Sequence, residues 1–573
     1  MAIALLLFAG ITVFIFRGVL RAGPGSHVPF LATEEFVHAA GADVLYESWL
    51  LSRHARTLAE RPDRLFATEH CAPEKRSLTL GIPMIAMGLL GVPAAMFTSN
   101  PAIVYDTAIA LSLILAAMAM YLLVSEWTGV PAAGIAAGIL YAFNDVRIGT
   151  NIVHPAEWDT TWFVFALVFA YRLLDRGSWR DAALLALACS LQIATSFYSF
   201  LGAFFFAVPF AAWLIARLGL RKTSAWQICF VVVAVTLAAA LMFGPYLDMR
   251  SESETLHTAE RYFARWFYFL PGNVLFVGWE VITLALVGLG ARRDRAVGGI
   301  DFDPRLAVIA GALVVASIAG GPHNNDFLRA FWTAPPVTFP NLYDALASFV
   351  PGMDSIRVVF RLDTVVLAAY CILAGMGVAF LLSFAAEHRR LAASVAVSLA
   401  LAGTLARNRA WEPLEVRVDG ETIRFFEDLR ALANTGAIFE LPILRGSLQI
   451  REAPRQILAI AHHGRRTSAC FGSFGTPGRR DLEAIAARLP DAAAARDLAN
   501  RGFTTVIVHR DIPELKTEAN RFVDAAARAA EDCAPRALHE SDRMIAYTLP
   551  SPVDPACGGS SPATVPARSA PLE

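Results

Sequence analysis

The sequence predicts a polytopic α-helical membrane protein of about 11 to 13 transmembrane helices, followed by a small C-terminal α/β domain. Of the 573 residues, 56% are hydrophobic and only 17% are charged, whereas soluble domains carry roughly 25% charged residues. Long apolar runs recur through the first 405 residues, and shorter runs that alternate with helical patterns follow them. The formal net charge of −1 provides no general attraction to nucleic acid. A simple soluble enzyme and a nucleic-acid-binding protein are therefore excluded.

The transmembrane prediction depends on apolar runs, because a hydrocarbon layer about 30 Å thick needs roughly 20 apolar residues per helix. The candidate runs are 2–20, 79–97, 102–124, 130–143, 161–174, 182–198, 200–216, 228–243, 274–289, 306–320, 364–382 and 391–405. Several runs are short, and we expect them to extend into the flanking aromatic residues. Run 79–97 contains three glycines and two prolines. It is therefore expected to be broken or partly re-entrant.

Arginine and lysine in the short loops predict the orientation. They follow the fifth, seventh, ninth and eleventh runs, which indicates that these loops are cytoplasmic. Loops 144–157, 244–273 and 321–363, and the chain from about residue 406, are then predicted to lie outside. Twelve complete spans would place Met1 outside and loop 21–78 in the cytoplasm. A broken run at 79–97 would restore an inside N-terminus and an outside first loop.

We predict three segments: a membrane domain at 1–405, an extracytoplasmic α/β domain at 406–549 and a disordered tail at 550–573 that is rich in Pro, Ser and Ala. The predicted strands are 437–441, 457–461, 504–508 and 544–549, and the predicted helices between them are 481–489 and 519–530.

Seven cysteines are scattered along the chain without CxxC or metal-type spacing. Three of them lie within apolar runs, where they are most simply small core residues. A Cys470–Cys533 bridge is one possibility if that region faces an oxidising space.

The first loop, 21–78, offers the first candidate chemistry. Asp43 can cap a helix that begins at Val44, and Glu47 lies one turn later, so the two carboxylates could face the same way. Such a carboxylate could act as the general base on an acceptor hydroxyl. The simpler interpretation is that Asp43 only caps the helix and that Glu47 is solvated. Glu34 and Glu35 are nearby alternatives.

Segment 151–158 offers a second pair of candidates. Pro155 fits the first position of a helix, and Glu157 then lies in the first turn, where the helix dipole favours an acid. Helix initiation alone would therefore explain why Pro155 and Glu157 occur at these positions. The functional alternative is that His154 and Glu157 line a cleft at the membrane surface.

Two further segments offer cationic side chains. Arg357 and Arg361 are four residues apart and would share one face of a helix. Paired guanidinium groups suit a phosphate or pyrophosphate, although they could instead pair with Asp354 or Asp363. His257, Arg261 and Arg265, spaced four apart, form either a second stripe that faces an anion or a solvated helix face.

Taken together, these segments resemble those of the bacterial polytopic membrane proteins of the GT-C glycosyltransferase superfamily. The resemblance is closer to the members with a C-terminal extracytoplasmic domain. The resembling stretches span most of residues 40–510. They are Gly41-Ala42-Asp43, Asn100-Pro101-Ala102, His154-Pro155-Ala156-Glu157-Trp158, Gly244-Pro245-Tyr246-Leu247, Pro351-Gly352 with Arg357 and Arg361, and Phe439-Glu440-Leu441-Pro442.

The resemblance implies an inverting glycosyltransferase of the bacterial cytoplasmic membrane. It would move a sugar from a polyprenyl-phosphate donor to an extracytoplasmic glycan, lipid or protein acceptor. The family's first-loop acid corresponds to Asp43. Related sequences often carry a Ser-Glu pair entering the second helix, whereas Thr79-Leu80 stands here, with Glu69 and Glu74 upstream.

Two other functions stay open on the sequence. The protein could be a transporter or flippase for a lipid-linked saccharide, although the sequence contains no internal repeat. It could also be an inactive scaffold for envelope assembly. A divalent cation could assist transfer, but no metal site and no other cofactor is predicted.

Overall fold

The computed structural model describes residues 1–30, 37–149, 153–252, 254–255, 262–291, 303–321, 342–350, 353, 356–384, 386–407, 411–416, 418–431, 436–472, 474–475, 477–528 and 535–550. The chain forms two compact units. One contains Met1–Ala67 and Leu78–Arg417, and the other contains Thr68–Ser77 and Val418–Glu573. Ten residues of the first loop, 68–77, thus belong to the second unit. The predicted disordered tail lies outside the described residues from position 551.

The first unit is built from α-helices. Its helices are Ala2–Ile15, Arg17–Ala22, Val37–Glu60, Ile85–Ala95, Pro101–Thr128, Pro131–Ala142, Asp145–Ile148, Pro155–Trp158, Thr161–Arg176, Trp179–Thr195, Phe197–Leu218, Ala225–Glu252, Trp279–Gly290, Arg305–Gly320, Leu342–Ala347, Val366–Leu382 and Glu387–Arg407. One antiparallel ribbon pairs His27–Phe30 with Glu412–Glu415.

Several of these helices have the length and composition of membrane spans. Among the described residues, five are long and apolar enough to cross a bilayer: Pro101–Thr128, Phe197–Leu218, Ala225–Met249, Val359–Leu382 and Glu387–Ala406. Four further apolar helices are 10–17 residues long. The prediction of a multi-pass α-helical membrane protein is confirmed.

The break expected in run 79–97 is present. A short 3₁₀ helix covers Ser77–Leu80, and an α-helix of 11 residues begins only at Ile85. Met84 caps this helix at a φ of 49°, in the left-handed region that L-residues rarely adopt. Pro93 lies within the helix near its end. An 11-residue helix is about 16 Å long at 1.5 Å per residue, which is too short to cross the hydrocarbon layer.

The first-loop helix is longer than predicted. It covers Val37–Glu60, so Asp43 lies within the helix, and the prediction that Asp43 caps a helix beginning at Val44 is wrong. Ala39, Ala40 and Ala42 favour helix strongly, and a single Gly41 weakens a helix by only about 1 kcal/mol. The residues before Val44 therefore continue the helix.

The second unit contains a four-stranded sheet with helices packed against it. Strand Ala437–Leu441 runs parallel to Phe503–His509, which pairs antiparallel with Met544–Thr548, and Arg536–Glu540 forms the far edge. The helices are Gly420–Ala431, Gly446–Leu458, Ile460–His463, Pro477–Ala486, Ala492–Asn500 and Lys516–Arg528. Alternate residues of the central strand pack into two cores, with Val506 and Val508 in one and Ile507 in the other. The α/β prediction is confirmed.

One predicted strand is wrong. Residues 457–461 lie in helices Gly446–Leu458 and Ile460–His463. A short apolar run does not by itself distinguish a strand from a buried helical segment. Here Ile457 and Leu458 are the buried residues at the end of an amphipathic helix that also buries Ala453.

The second unit contains a disulfide between Cys71 and Cys470. The bridge fastens segment 68–77 to the main body of this unit, and backbone hydrogen bonds from Cys71 N and Ala72 N to the carbonyls of Ala469 and Thr467 add to it, each at 2.8 Å. The Cys470–Cys533 bridge is therefore wrong. No local sequence pattern indicates this pairing, because 399 residues separate the two cysteines.

Candidate functional site

Two carboxylates of helix Val37–Glu60 form one side of the candidate site. Asp43 and Glu47 are one turn apart and therefore project from the same face. The Asp43 side chain is 29% exposed, whereas the Glu47 side chain is 6% exposed. Glu47 is therefore not solvated, contrary to the simpler interpretation. Its Oε2 has no hydrogen-bond partner among the described residues.

His154 lies against both carboxylates. Its Nε2 is 3.7 Å from Asp43 Oδ2 and its Nδ1 is 3.6 Å from Glu47 Oε1. The residue is the N-cap of helix Pro155–Trp158, whose first position is Pro155, as predicted.

The other side of the site is an ion pair. Glu157, in the helical turn that follows His154, pairs through Oε2 with Nη1 of Arg361, and both side chains are largely buried. The Arg361 guanidinium also lies 5.8 Å from the ring centroid of Tyr198. The alternative pairing of Arg361 with Asp363 is wrong, because neither carboxyl oxygen of Asp363 has a hydrogen-bond partner among the described residues. Asp354 lies outside the described residues.

Arg357 reaches the same region from an irregular segment. It precedes the 3₁₀ helix Val359–Val365, so the prediction that Arg357 and Arg361 share one helix face is wrong. The Arg357 carbonyl accepts a hydrogen bond of 2.8 Å from Tyr262 N, and its exposed guanidinium lies 5.7 Å from the Tyr262 ring centroid. Contacts with residue 262, distant in sequence, position this arginine.

Burial and charge set the protonation of the site. Burial raises the pKa of Asp43 to about 7, and Glu157 adds to the shift while Arg361 and Arg357 oppose it. Burial, Asp43 and Glu157 hold the pKa of Glu47 well above its ordinary value. At pH 7, Asp43 is thus about half ionised, and the raised pKa of Glu47 favours its protonated form.

The imidazole of His154 is neutral at the same pH. Burial holds its pKa well below the ordinary value, and the charges of Arg361 and Arg357 act in the same direction. A neutral imidazole between two carboxyl groups can donate one hydrogen bond and accept another. Titratable groups with different environments at one site are typical of acid–base catalysis.

The sequence analysis did not predict a buried ion pair that flanks the turn containing His154 and Glu157. Arg147 and Asp159 are 1% and 0% exposed and form an ion pair with a separation of 3.2 Å. The Arg147 guanidinium also lies over the rings of Tyr141 and Trp158, at 4.7 and 4.9 Å from their centroids. The two residues of the pair flank segment 154–158 in sequence. The sequence signal that could have indicated this pair is that Arg147 and Asp159 each lie close to the end of an apolar run.

Replacing Arg147 with methionine is expected to lower the free energy of unfolding by about 3–5 kcal/mol, since it leaves Asp159 buried and unpaired. The measurement is the unfolding midpoint of the purified protein in detergent. Arg61→Met is the matched control, because the Arg61–Asp63 pair has side chains that are 56% and 67% exposed, and exposed pairs contribute about 0–1 kcal/mol. Equal midpoints for Arg147→Met and the wild type would contradict the supporting role.

The remaining candidates do not join this group. His257, Arg261, Glu34 and Glu35 lie outside the described residues. Glu69 and Glu74 belong to the second unit. Among the residues that the structure describes, no group of three or more His, Cys, Asp or Glu side chains has an arrangement that would hold a metal ion.

The fold defines the class of protein to which this chain is similar. No protein-family model and no curated protein sequence matches the chain. Among solved structures, the chain is similar in fold to a membrane glycosyltransferase of the GT-C superfamily. The resemblance predicted from the sequence is therefore confirmed at the level of the fold.

One structure with a similar fold is that of the arabinofuranosyltransferase AftD from Mycobacteria. The alignment has a TM-score of 0.53 and 15% identity, and covers 96% of this chain and 39% of AftD. A mutant form of AftD gives a TM-score of 0.55 at 15% identity, with coverages of 96% and 41%. The chain thus spans about two fifths of the length of AftD. The Archaeoglobus fulgidus oligosaccharyltransferase gives a TM-score of 0.42, too low to support an argument.

Proposed function

We propose that this protein is an integral membrane glycosyltransferase that moves a sugar from a polyprenyl-phosphate donor to an extracytoplasmic acceptor, with inversion at the anomeric carbon. One observation carries the proposal. Asp43, a carboxyl group with a pKa of about 7, shares one site with the cationic side chains of Arg357 and Arg361. A base and a phosphate-binding group are the two chemical functions that such a transfer requires.

In this mechanism Asp43 removes the proton from the acceptor hydroxyl. The hydroxyl oxygen forms a bond to the anomeric carbon as the bond from that carbon to the phosphate oxygen breaks. Polyprenyl phosphate leaves with the electron pair, and Arg361 and Arg357 stabilise its negative charge. The proton stays on Asp43 until it passes to solvent.

The other members of the group support these two roles. Glu157 forms an ion pair with the Arg361 guanidinium and so orients it. Neutral His154 lies within 3.7 Å of Asp43 and limits the positions available to that carboxylate. The raised pKa of Glu47 favours its neutral form, which limits the negative charge beside the base.

The disulfide supports an extracytoplasmic location for the second unit. Disulfides persist in oxidising compartments and are rare in the cytosol. Because Cys71 comes from the first loop and Cys470 from the C-terminal part, both would lie outside the bacterial cytoplasmic membrane. That arrangement favours the broken-run topology, with loop 21–78 outside.

Intact cells are expected to contain Cys71 and Cys470 in oxidised form. Denatured protein should gain two additional maleimide–polyethylene glycol adducts only after reduction, seen as a mobility shift on a gel. Cys71→Ser is the control, because it should leave Cys470 reactive without reduction. If reduction added no further adducts to the wild-type protein, the bridge and the location that it supports would be contradicted.

The rate of transfer is expected to rise about tenfold per pH unit below pH 7 and to become constant above it. The sign follows because the ionised form of Asp43 is the base, and its pKa is about 7. The titratable and charged groups around Asp43 are Glu47, His154, Glu157, Arg357 and Arg361. The measurement is kcat/KM against pH, which reports groups of the free enzyme, with the unfolding midpoint recorded at each pH. A pH–rate profile whose midpoint lies near pH 4 would contradict the raised pKa of Asp43.

The decisive test is transfer of a radiolabelled sugar from polyprenyl-phosphate donors by the purified protein in proteoliposomes that contain cell-envelope glycans. Formation of labelled glycan together with free polyprenyl phosphate supports the proposal. Movement of the labelled lipid between leaflets without transfer would identify a flippase instead. Neither activity, with a stable binding partner, would indicate an assembly scaffold.

A further inference from the structure

The loops that follow helices Thr161–Arg176 and Phe197–Leu218 lie at the ends of these helices that are remote from the candidate site. The first helix begins just after the turn that contains Glu157, and its 16 residues extend about 24 Å. The second helix begins beside Arg361, which lies over the ring of Tyr198, and its 22 residues extend about 33 Å. Side chains on these loops therefore take no part in the chemistry of that site.

The two loops are packed against each other. A Cβ atom on Gly177, in the first loop, would collide with the backbone carbonyl of Lys222 in the second. Gln227 Nε2 donates a hydrogen bond of 2.8 Å to the Gly177 carbonyl, and the Thr223 hydroxyl donates one of 3.1 Å to the Leu173 carbonyl. These contacts bring the residues that flank Gly177 and Lys222 onto one surface.

That surface contains two arginines without a counter-charge. Arg180 and Arg221 are exposed, and neither forms an ion pair with any residue that the structure describes. Lys222, by contrast, pairs with Asp175 at 3.4 Å. Two unpaired guanidinium groups on one surface attract an anion, and phosphate is an anion whose geometry they match.

Two tryptophans on the same surface are also exposed. Trp179 directly precedes Arg180 and is 54% exposed, and Trp226 lies in the first turn of helix Ala225–Glu252 and is 77% exposed. The Trp179 ring packs edge-on against Phe230 of that helix, with the ring centroids 5.9 Å apart. Tryptophan is enriched where the hydrocarbon of a bilayer meets its headgroups. The two rings therefore indicate that this surface lies at the depth of the phospholipid headgroups.

An apolar face continues from this surface along the same helix. Only 6% of the most apolar stretch of its candidate span, Ala225–Met249, is buried. Phe230, Val233 and Leu237 are among the exposed side chains. A ligand with a phosphate at one end and hydrocarbon chains at the other would satisfy the arginines, the indole rings and this face together. Free phosphate would satisfy only the arginines, and a second apolar helix would satisfy only the face.

We propose that Trp179, Arg180, Arg221 and Trp226 bind the headgroup of an anionic phospholipid, whose acyl chains lie along helix Ala225–Glu252. The two guanidinium groups donate hydrogen bonds to the phosphate, and the indole rings pack at the depth of the headgroup. Because the sequence predicts that both loops are cytoplasmic, the lipid belongs to the cytoplasmic leaflet, where anionic phospholipids attract cations. The inference needs only a membrane-embedded helix bundle and does not depend on the proposed transferase reaction.

The test counts the lipids bound to the full-length protein in detergent by native mass spectrometry. The protein is titrated with phosphatidylglycerol or phosphatidylcholine that have the same acyl chains, so that only the headgroup differs. The wild-type protein is expected to bind the first phosphatidylglycerol about tenfold or more tightly than the first phosphatidylcholine. The double variant Arg180→Gln with Arg221→Gln should lose that preference.

A matched control removes two other exposed arginines. Arg389→Gln with Arg390→Gln changes the net charge by the same amount, at the start of helix Glu387–Arg407, which contains no aromatic residue. These arginines follow the eleventh apolar run, so their loop is also predicted to be cytoplasmic. The control should keep the wild-type preference for phosphatidylglycerol.

Three outcomes would overturn the proposal. They are equal binding of the two lipids by the wild type, an unchanged preference in the folded Arg180→Gln and Arg221→Gln variant, and an equal loss of preference in both double variants, which would show only general charge attraction. Unfolding midpoints are recorded in parallel. Arg221→Gln alone, expected to reduce the preference about threefold or more, is the second variant if the double variant does not fold.

Discussion

Replacing Asp43 with asparagine is expected to reduce kcat for sugar transfer by about 10²–10⁴-fold, the usual contribution of a general base. Asparagine keeps the size and shape of the side chain but cannot accept the proton of the acceptor hydroxyl. The loss should fall on kcat, with little change in the KM for the donor, because the donor phosphate is assigned to Arg361 and Arg357. The measurement is the initial rate of transfer by purified protein in proteoliposomes.

Asp63→Asn is the matched control for this experiment. Asp63 follows the same first-loop helix, but its side chain is 67% exposed and pairs with Arg61 at 3.6 Å. This variant should retain the wild-type rate. If Asp43→Asn also retained it, Asp43 would have no part in the reaction, and Glu47 would be the next carboxyl group to test.

Replacing Arg361 with lysine is expected to reduce kcat by about 10²–10³-fold, the usual cost of losing one donor that stabilises charge in the transition state. Lysine keeps the positive charge but lacks the planar arrangement of donors that matches a phosphate and the Glu157 carboxylate together. Since the charge that pairs with buried Glu157 is kept, the protein should stay folded. The measurement is kcat with the unfolding midpoint recorded in parallel.

The methionine variant of the same residue has a second expected effect. Arg361 lowers the pKa of Asp43, so Arg361→Met should move the midpoint of the pH–rate profile to above 7. Arg265→Met is the control, because Arg265 is exposed and does not contribute to the pKa of Asp43. A wild-type kcat in Arg361→Lys, together with an unmoved midpoint in Arg361→Met, would exclude Arg361 from the site.

The residues of the candidate site could be predicted from the sequence, because each lies in a recognisable local pattern. Asp43 and Glu47 have helical spacing within a loop between apolar runs. His154 and Glu157 flank a proline that begins a helix. The contacts among these residues could not be predicted from the sequence, because more than 200 residues separate Glu157 from Arg361 along the chain. Sequence periodicity reports neighbours within one element and not between elements.

Three sequence predictions were wrong, two because of long-range contacts and one because the local pattern was ambiguous. Arg357 and Arg361 have helical spacing but are not held by a shared helix, because backbone contacts with Tyr262 keep Arg357 outside it. Cys470 pairs with Cys71 from the first loop, which no local pattern indicates. Residues 457–461 were expected to be a strand because a five-residue apolar run contains no clear period.

The sequence by itself determined the membrane character, the α/β nature of the C-terminal part and the identity of the polar side chains near helix ends. These properties follow from composition and local spacing, which act over one or two turns. Only the tertiary structure decided that Glu157 pairs with Arg361, that His154 lies between two carboxyl groups, and that burial brings the pKa of Asp43 to about 7. Packing between segments distant in the chain sets desolvation and charge proximity, and no local pattern specifies either.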